Sequence, residues 1–172
     1  MIKRYFEIIG RRSKKAFENK VKNELKNKVL NHYAHSIQKN VKSILSQNKK
    51  DISYAKKIGL KDNFISRLEL DTKKLRAIIS SINSISKLKD PTDRILEQWK
   101  RPNGLKIKKV SVPIGVIGVI YESRPNVTSD VSCLCFKSGN SVILKGGSEA
   151  YFTNKILSLS LIHISEPTRL SV

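Results

Sequence analysis

Apolar residues recur at three- and four-residue steps through the first half of the chain. Ile8, Ile9, Phe17, Val21, Leu25, Val29 and Leu30 form one run, and Ile37, Val41, Ile44 and Leu45 form another. This is the spacing of amphipathic helices. Gly59 is placed to stop a short helix carrying Ile52, Ala55 and Ile58, with lysines in its last turn. Asp71 or Thr72 can cap the next helix, whose apolar face is Leu75, Ile78, Ile79, Ile82, Ile85 and Leu88, and Asp90-Pro91 closes it. The pattern predicts helix over about residues 2 to 89.

The period changes from Arg94. Ile95, Glu97 and Trp99 alternate with other residues, as do Leu105, Ile107 and Lys109 beyond Arg101-Pro102-Asn103-Gly104. Asn-Gly between two alternating segments predicts a β-hairpin. The run Val112-Pro113-Ile114-Gly115-Val116-Ile117-Gly118-Val119-Ile120-Tyr121 then reads as a buried strand, broken at the polar turn Glu122-Ser123-Arg124-Pro125-Asn126. Proline suits the first turn of a helix, where its missing N–H costs little. Ser138-Gly139-Asn140 ends that helix, and Ser141 to Leu144 supplies a second strand, followed by Lys145-Gly146-Gly147-Ser148-Glu149. Strand, helix and strand make a βαβ unit. Such units place their ligands at the carboxyl ends of the strands.

At 172 residues and 39% hydrophobic content, the chain can bury the core of one ordinary domain. It holds no stretch of about 18 apolar residues, and its N-terminus has only a very short apolar core and no small-residue cleavage site, against a secretory signal. The expectation is a cytoplasmic protein with no membrane partner. A net charge of +20 raises nucleic-acid binding. However, the lysines are dispersed along helices rather than gathered beside aromatics, which favours a solvated surface and no nucleic-acid partner. Cys133 and Cys135 are the only cysteines. A lone CxC pair is too little for structural zinc, and the pair reads as packed thiols on an apolar helix face. His32 and His35 lack an acidic or cysteine partner nearby, so no metal site is expected.

Two turns carry the candidate chemistry. Glycine within a strand, as at Gly115 and Gly118, marks close approach by a ligand or by another backbone. Asn126 can present an amide donor at a strand-to-helix turn, where it would either stabilise a developing oxyanion or serve as a cap. At the second turn, Gly146 and Gly147 would let backbone approach a phosphate beside the charge of Lys145. A bare KGGS sequence is weak evidence by itself. It gains force from its place one βαβ unit after the first turn.

Taken together, Val112 to Thr128, Leu134-Cys135-Phe136-Lys137-Ser138-Gly139-Asn140 and Lys145-Gly146-Gly147-Ser148-Glu149-Ala150 strongly resemble the gamma-glutamyl phosphate reductases. These enzymes, also called glutamate-5-semialdehyde dehydrogenases, belong to the aldehyde dehydrogenase superfamily. The resemblance extends over about residues 5 to 157. The Tyr121-Glu122-Ser123-Arg124-Pro125-Asn126 segment distinguishes this branch from aldehyde dehydrogenases that carry a proline-tryptophan-asparagine turn. The implied fold is α/β and aldehyde dehydrogenase-like: a helical N-terminal segment, a β-hairpin and an incomplete Rossmann-like parallel sheet.

The implied reaction uses NADPH to reduce L-glutamyl 5-phosphate to glutamate 5-semialdehyde and phosphate, in proline biosynthesis. In the family a cysteine thiolate attacks the acyl phosphate, phosphate leaves, and hydride reduces the thioester. The full-length enzyme is expected to be a homo-oligomer. By similarity, Asn126 is the oxyanion donor, Ile117, Gly118, Ile120 and Tyr121 form the cofactor floor, and Lys145, Gly146, Gly147 and Ser148 contact the ribose and phosphate region. The Gly146-Gly147 pair stands where the superfamily usually has proline. Neither Cys133 nor Cys135 matches the family nucleophile.

The expected organisation is therefore a helical part of the cofactor-binding domain over residues 1–93 and the hairpin with the βαβ core over 94–157. Residues 158–172 form a tail that resembles a translated sequencing adaptor, which makes the chain an N-terminal fragment without its nucleophile. Two other readings compete. One is another aldehyde dehydrogenase, disfavoured by Arg124-Pro125-Asn126. The other is a basic nucleic-acid-binding module, disfavoured by the scattered lysines.

Overall fold

The structure is a computed structural model that describes residues 2–122 and 124–165. Five helices come first: α1 (Ile2–Glu18), α2 (Asn23–Lys39), α3 (Val41–Lys57), α4 (Asp62–Leu68) and α5 (Thr72–Lys87). A hairpin of β1 (Ile95–Lys100) and β2 (Lys106–Val110) follows. The βαβ unit is β3 (Val116–Tyr121), α6 (Pro125–Lys137) and β4 (Ser141–Gly146). A 3₁₀ turn at Ser148–Ala150 then leads into α7 (Tyr151–Ser165).

The helix boundaries follow local chemistry. Asp71 caps α5 by accepting from the Lys74 N–H at 2.6 Å. Pro125 opens α6. Gly59 adopts φ +71°, a left-handed conformation that glycine takes readily, just past the end of α3. Two sequence expectations need correction. Ile52, Ala55 and Ile58 do not belong to a separate short helix. Ile52 and Ala55 lie in α3 with Ile44, because no breaker intervenes after α2 closes at Asn40, whose N–H bonds the Ser36 and Ile37 carbonyls. Leu88 falls beyond the last turn of α5 and is exposed.

One core joins the helical half to the βαβ half. Leu30, Tyr33 and Ile37 of α2 pack with Ile44, with Leu75, Ile78 and Ile82 of α5, with Cys133 of α6 and with Leu157 of α7. The Tyr33 hydroxyl is satisfied within it by the Leu157 carbonyl at 3.2 Å and Ser129 Oγ at 3.0 Å. Leu157 is fully buried, whereas Leu159 is exposed. The helix backbone itself continues to Ser165, and residues 166–172 of the expected tail lie outside the described residues.

Lysine is not confined to a solvated surface. Lys26 is buried and pairs with Asp90 at 2.8 Å. Lys137 is buried and donates to Asn23 Oδ1, Asn27 Oδ1 and the Ser86 carbonyl. Those three acceptors match the three protons of an ammonium group. They tie the end of α6 to α2 and α5.

The hairpin is antiparallel, with Trp99 opposite Ile107, and both of its faces are largely exposed. β3 and β4 are parallel and in register from Val116↔Ser141 to Tyr121↔Gly146. Gly115, at φ +129°, turns the chain into β3, a conformation that strains any side-chain-bearing residue. Asn140 Oδ1 holds that turn by accepting from the Gly115 N–H at 2.8 Å.

Candidate functional site

Side chains alternate between the faces of a strand, so the register sorts the candidate residues. Gly118 and Ile120 share one face with Ile143 and Lys145, their partners on β4. This face is open. Ile120 is 86% exposed, and nothing stands within 4 Å of where a side chain on Gly118 would point. Lys145 is exposed beside Ile120, and its ammonium donates to the adjacent Gly146 carbonyl at 3.4 Å.

Ile117 and Tyr121 lie on the other face with Gly146. There Tyr121 Oη meets Thr128 Oγ1 at 2.6 Å, and Thr128 Oγ1 donates to Asn154 Oδ1 at 2.8 Å. Thr128 has one hydroxyl proton, and with that proton on Asn154, Tyr121 is the donor to Thr128. Burial raises the Tyr121 phenol above its ordinary range, against the lowering effect of Thr128. The candidate cofactor residues thus divide between an open apolar face and a helix-covered polar seam.

Space is tight around the glycine pair. A side chain on Gly146 would collide with Asn154 Nδ2 and crowd the Tyr121 ring, while one on Gly147 would strike the Glu149 carboxylate. Ser148 is exposed and opens the 3₁₀ turn. The N-terminus of α7 is capped from far along the chain. Asp51, buried on α3, accepts from the Phe152 N–H at 3.0 Å and from the Thr153 N–H and hydroxyl at 2.8 and 2.6 Å.

Asn126 stands at the second position of α6, exposed at the carboxyl end of β3. Its Nδ2 donates to Asp130 Oδ2 at 3.3 Å, and the other oxygen of Asp130 is held by Ser81 Oγ at 2.9 Å. The α5 helix therefore fixes the carboxylate that orients the Asn126 amide, and this contact uses one of the amide's two hydrogens. A groove of about 440 Å³ lies at the same strand end, lined by Phe64 and Arg67 of α4, Ile120, Tyr121 and Glu122 at the end of β3, and Arg124 and Val127, which flank Asn126 in the chain. The Arg67 guanidinium also lies 5.8 Å from the centre of the Phe64 ring. Arg67 was not legible as a site residue, because no local motif sets it apart in so basic a chain, whereas Glu122 could be read only as part of the polar turn that ends β3. Only the fold brings α4 to the strand end.

Neither cysteine is placed for chemistry. Cys133 is fully buried, and its thiol is pushed up to about 12 by burial and by the nearby Asp130 carboxylate. Burial also raises Cys135. A thiol holding its proton is a poor nucleophile. Among the described residues no cluster of His, Cys, Asp and Glu could hold a metal, and no helix is long and apolar enough to cross a membrane.

No family model matches the chain. It is 50% identical over 133 residues to the gamma-glutamyl phosphate reductase of a Nitratiruptor species, covering 77% of this chain and 32% of that protein. The crystal structure of gamma-glutamyl phosphate reductase from Thermotoga maritima superposes with a TM-score of 0.87 at 34% identity, over 91% of this chain and 38% of that one. A crystal structure of a putative aldehyde dehydrogenase from Bacillus subtilis shares the fold, with a TM-score of 0.64 at 18% identity, over 89% of this chain and 32% of that one. The chain spans about a third of the length of the curated relatives it matches. With this identity and this fold in common, the chain belongs to the gamma-glutamyl phosphate reductase family, on the aldehyde dehydrogenase fold.

Proposed function

We propose that this chain supplies the cofactor shelf and the oxyanion donor of an enzyme that reduces L-glutamyl 5-phosphate to glutamate 5-semialdehyde and phosphate at the expense of NADPH, in proline biosynthesis. The observation that carries this reading is the open sheet face ending at the α6 N-terminus. Gly118 and Ile120 offer a flat apolar surface, Lys145 adds a cation in register beside it, and Asn126 stands where the strand ends. The residues present fit the cofactor on that face. Gly118 and Ile120 would hold its apolar rings, and Lys145 would attract its phosphate or ribose oxygens. NADPH, when bound, supplies the hydride.

Asn126 directs an amide hydrogen at the oxygen of the acyl carbon as negative charge develops there, and Asp130 keeps the amide from turning away. Neither Cys133 nor Cys135 serves as nucleophile in this reading, since both are buried with raised pKa values. The covalent step belongs to a cysteine of the full-length protein outside this segment. Turnover of freshly made L-glutamyl 5-phosphate by the full-length protein tests the proposal. Phosphate release should match NADPH consumption one for one, and Lys145→Ala should raise the KM for NADPH. Consumption of NADPH without phosphate release would refute it.

A further inference from the structure

The groove at the carboxyl end of β3 shares Ile120 with the cofactor shelf and adds charged side chains that the shelf does not use. Two guanidinium groups (Arg67 and Arg124) and one carboxylate (Glu122) line it together with the apolar side chains of Phe64, Ile120 and Val127. We propose that this groove recognises the α-amino-acid end of the substrate, with Arg67 and Arg124 binding the α-carboxylate, Glu122 binding the α-ammonium and the apolar wall covering the methylenes. The inference rests on the reading of the substrate as a glutamyl acyl phosphate and names the part of the site that selects the glutamyl group.

The charges argue for a zwitterion over a phosphoryl group. Arginine presents a planar fork of donors that suits carboxylate and phosphate alike. Glu122 in the same groove repels a phosphoryl dianion and attracts an ammonium group, so one charge of each sign on the ligand satisfies all three side chains. Position argues the same way. Glu122 and Arg124 belong to the turn that leads to Asn126, so an acyl carbon at the Asn126 amide leaves its aliphatic chain directed into the adjoining groove. Arg67 approaches from α4, whose end is fixed through Asn48. The Asn48 Nδ2 donates to the Leu68 carbonyl at 2.9 Å, and its Oδ1 accepts from the Leu70 N–H at 2.8 Å. The arginine therefore stands on an anchored helix, with Phe64 packed beside it.

The test compares three acyl phosphates in the full-length protein that carries this segment. They are L-glutamyl 5-phosphate, glutaryl phosphate (which lacks the ammonium) and 4-aminobutanoyl phosphate (which lacks the carboxylate). Arg67→Gln and Arg124→Gln should each raise the KM for the first two by roughly 10- to 100-fold, the loss expected for a hydrogen bond to a charged group, and leave the third little changed. Glu122→Gln should do the converse, penalising the first and third and sparing glutaryl phosphate. An equal loss on all three substrates from the arginine variants would place the phosphoryl group in the groove and overturn the proposal, as would no loss on any. NADPH affinity, measured by fluorescence on each variant, separates misfolding from lost recognition. Calorimetric titration of L-glutamate into the wild type and Arg124→Gln provides a reading independent of turnover. Binding that is lost in the variant supports the groove even if the wild type fails to reduce the acyl phosphate, and equal binding or none refutes it. Wild-type turnover without discrimination overturns the groove assignment alone.

Discussion

Replacing Asp51 with alanine tests how the second turn of the βαβ unit is held. The carboxylate is 1% exposed and accepts from two backbone N–H groups at the start of α7 and from the Thr153 hydroxyl. Helix N-termini carry unpaired donors and partial positive charge, so an acidic side chain there satisfies both. Alanine leaves the Thr153 N–H and hydroxyl buried without this partner. Each hydrogen bond to a charged group is worth roughly 1.5–3 kcal/mol, but three that share one side chain do not add. A loss of about 4 kcal/mol is expected, within the range seen when one member of a buried charged interaction is removed. With an m-value of about 2 kcal/mol/M, the urea midpoint should fall by about 2 M at unchanged slope. Asp51→Asn retains one acceptor oxygen and should lose about half as much. Urea unfolding followed by circular dichroism measures both. A loss below about 1 kcal/mol for Asp51→Ala would show that the α7 N-terminus does not depend on α3.

Three further outcomes are expected. Cys133 and Cys135 should react with Ellman's reagent only after unfolding, because Cys133 is fully buried with its thiol pushed up to about 12 and Cys135 is buried with its thiol raised; rapid labelling of native protein would contradict the burial. Burial alone would raise the Asp90 carboxyl, yet the Lys26 ammonium and the Thr92 donors outweigh it and hold it below its ordinary range. The stability it contributes is therefore present above about pH 4 and lost as pH falls through the lower folded value, and Asp90→Asn should flatten that acid limb in unfolding curves. Gly146→Ala should cost roughly 1–3 kcal/mol by overpacking against Asn154 and Tyr121, and a neutral effect in thermal unfolding would mean that the seam yields freely.

Legibility in the sequence depended on whether the determining contacts were local. The hairpin and the βαβ unit were legible because Asn103-Gly104, Pro125 and Gly139 punctuate runs with a period of two or a continuous apolar strand. The extent of α3 was not, since polar residues between Leu45 and Ile52 masked a helix that tertiary contacts at Asn48 and Asp51 keep whole. The roles of Lys26 and Lys137 were hidden for a similar reason. Their acceptors lie on other elements, and in a chain of net charge +20 a buried lysine looks like any other. Of the candidate site, the strand ends could be read from their turns. The division of Ile117 and Tyr121 from Gly118 and Ile120 needed the orientation of the sheet, and the groove needed α4 to be placed in space.

The role given to the β3–α6 turn is tested most directly by turnover of Asn126→Ala in the full-length protein, measured as NADPH consumption with L-glutamyl 5-phosphate. An amide that acts on developing charge contributes mainly in the transition state, so kcat should fall by roughly 100- to 1,000-fold while the KM for NADPH stays near the wild-type value. A folded Asn126→Ala variant with unchanged kcat, or one whose defect lies wholly in NADPH binding, would contradict it.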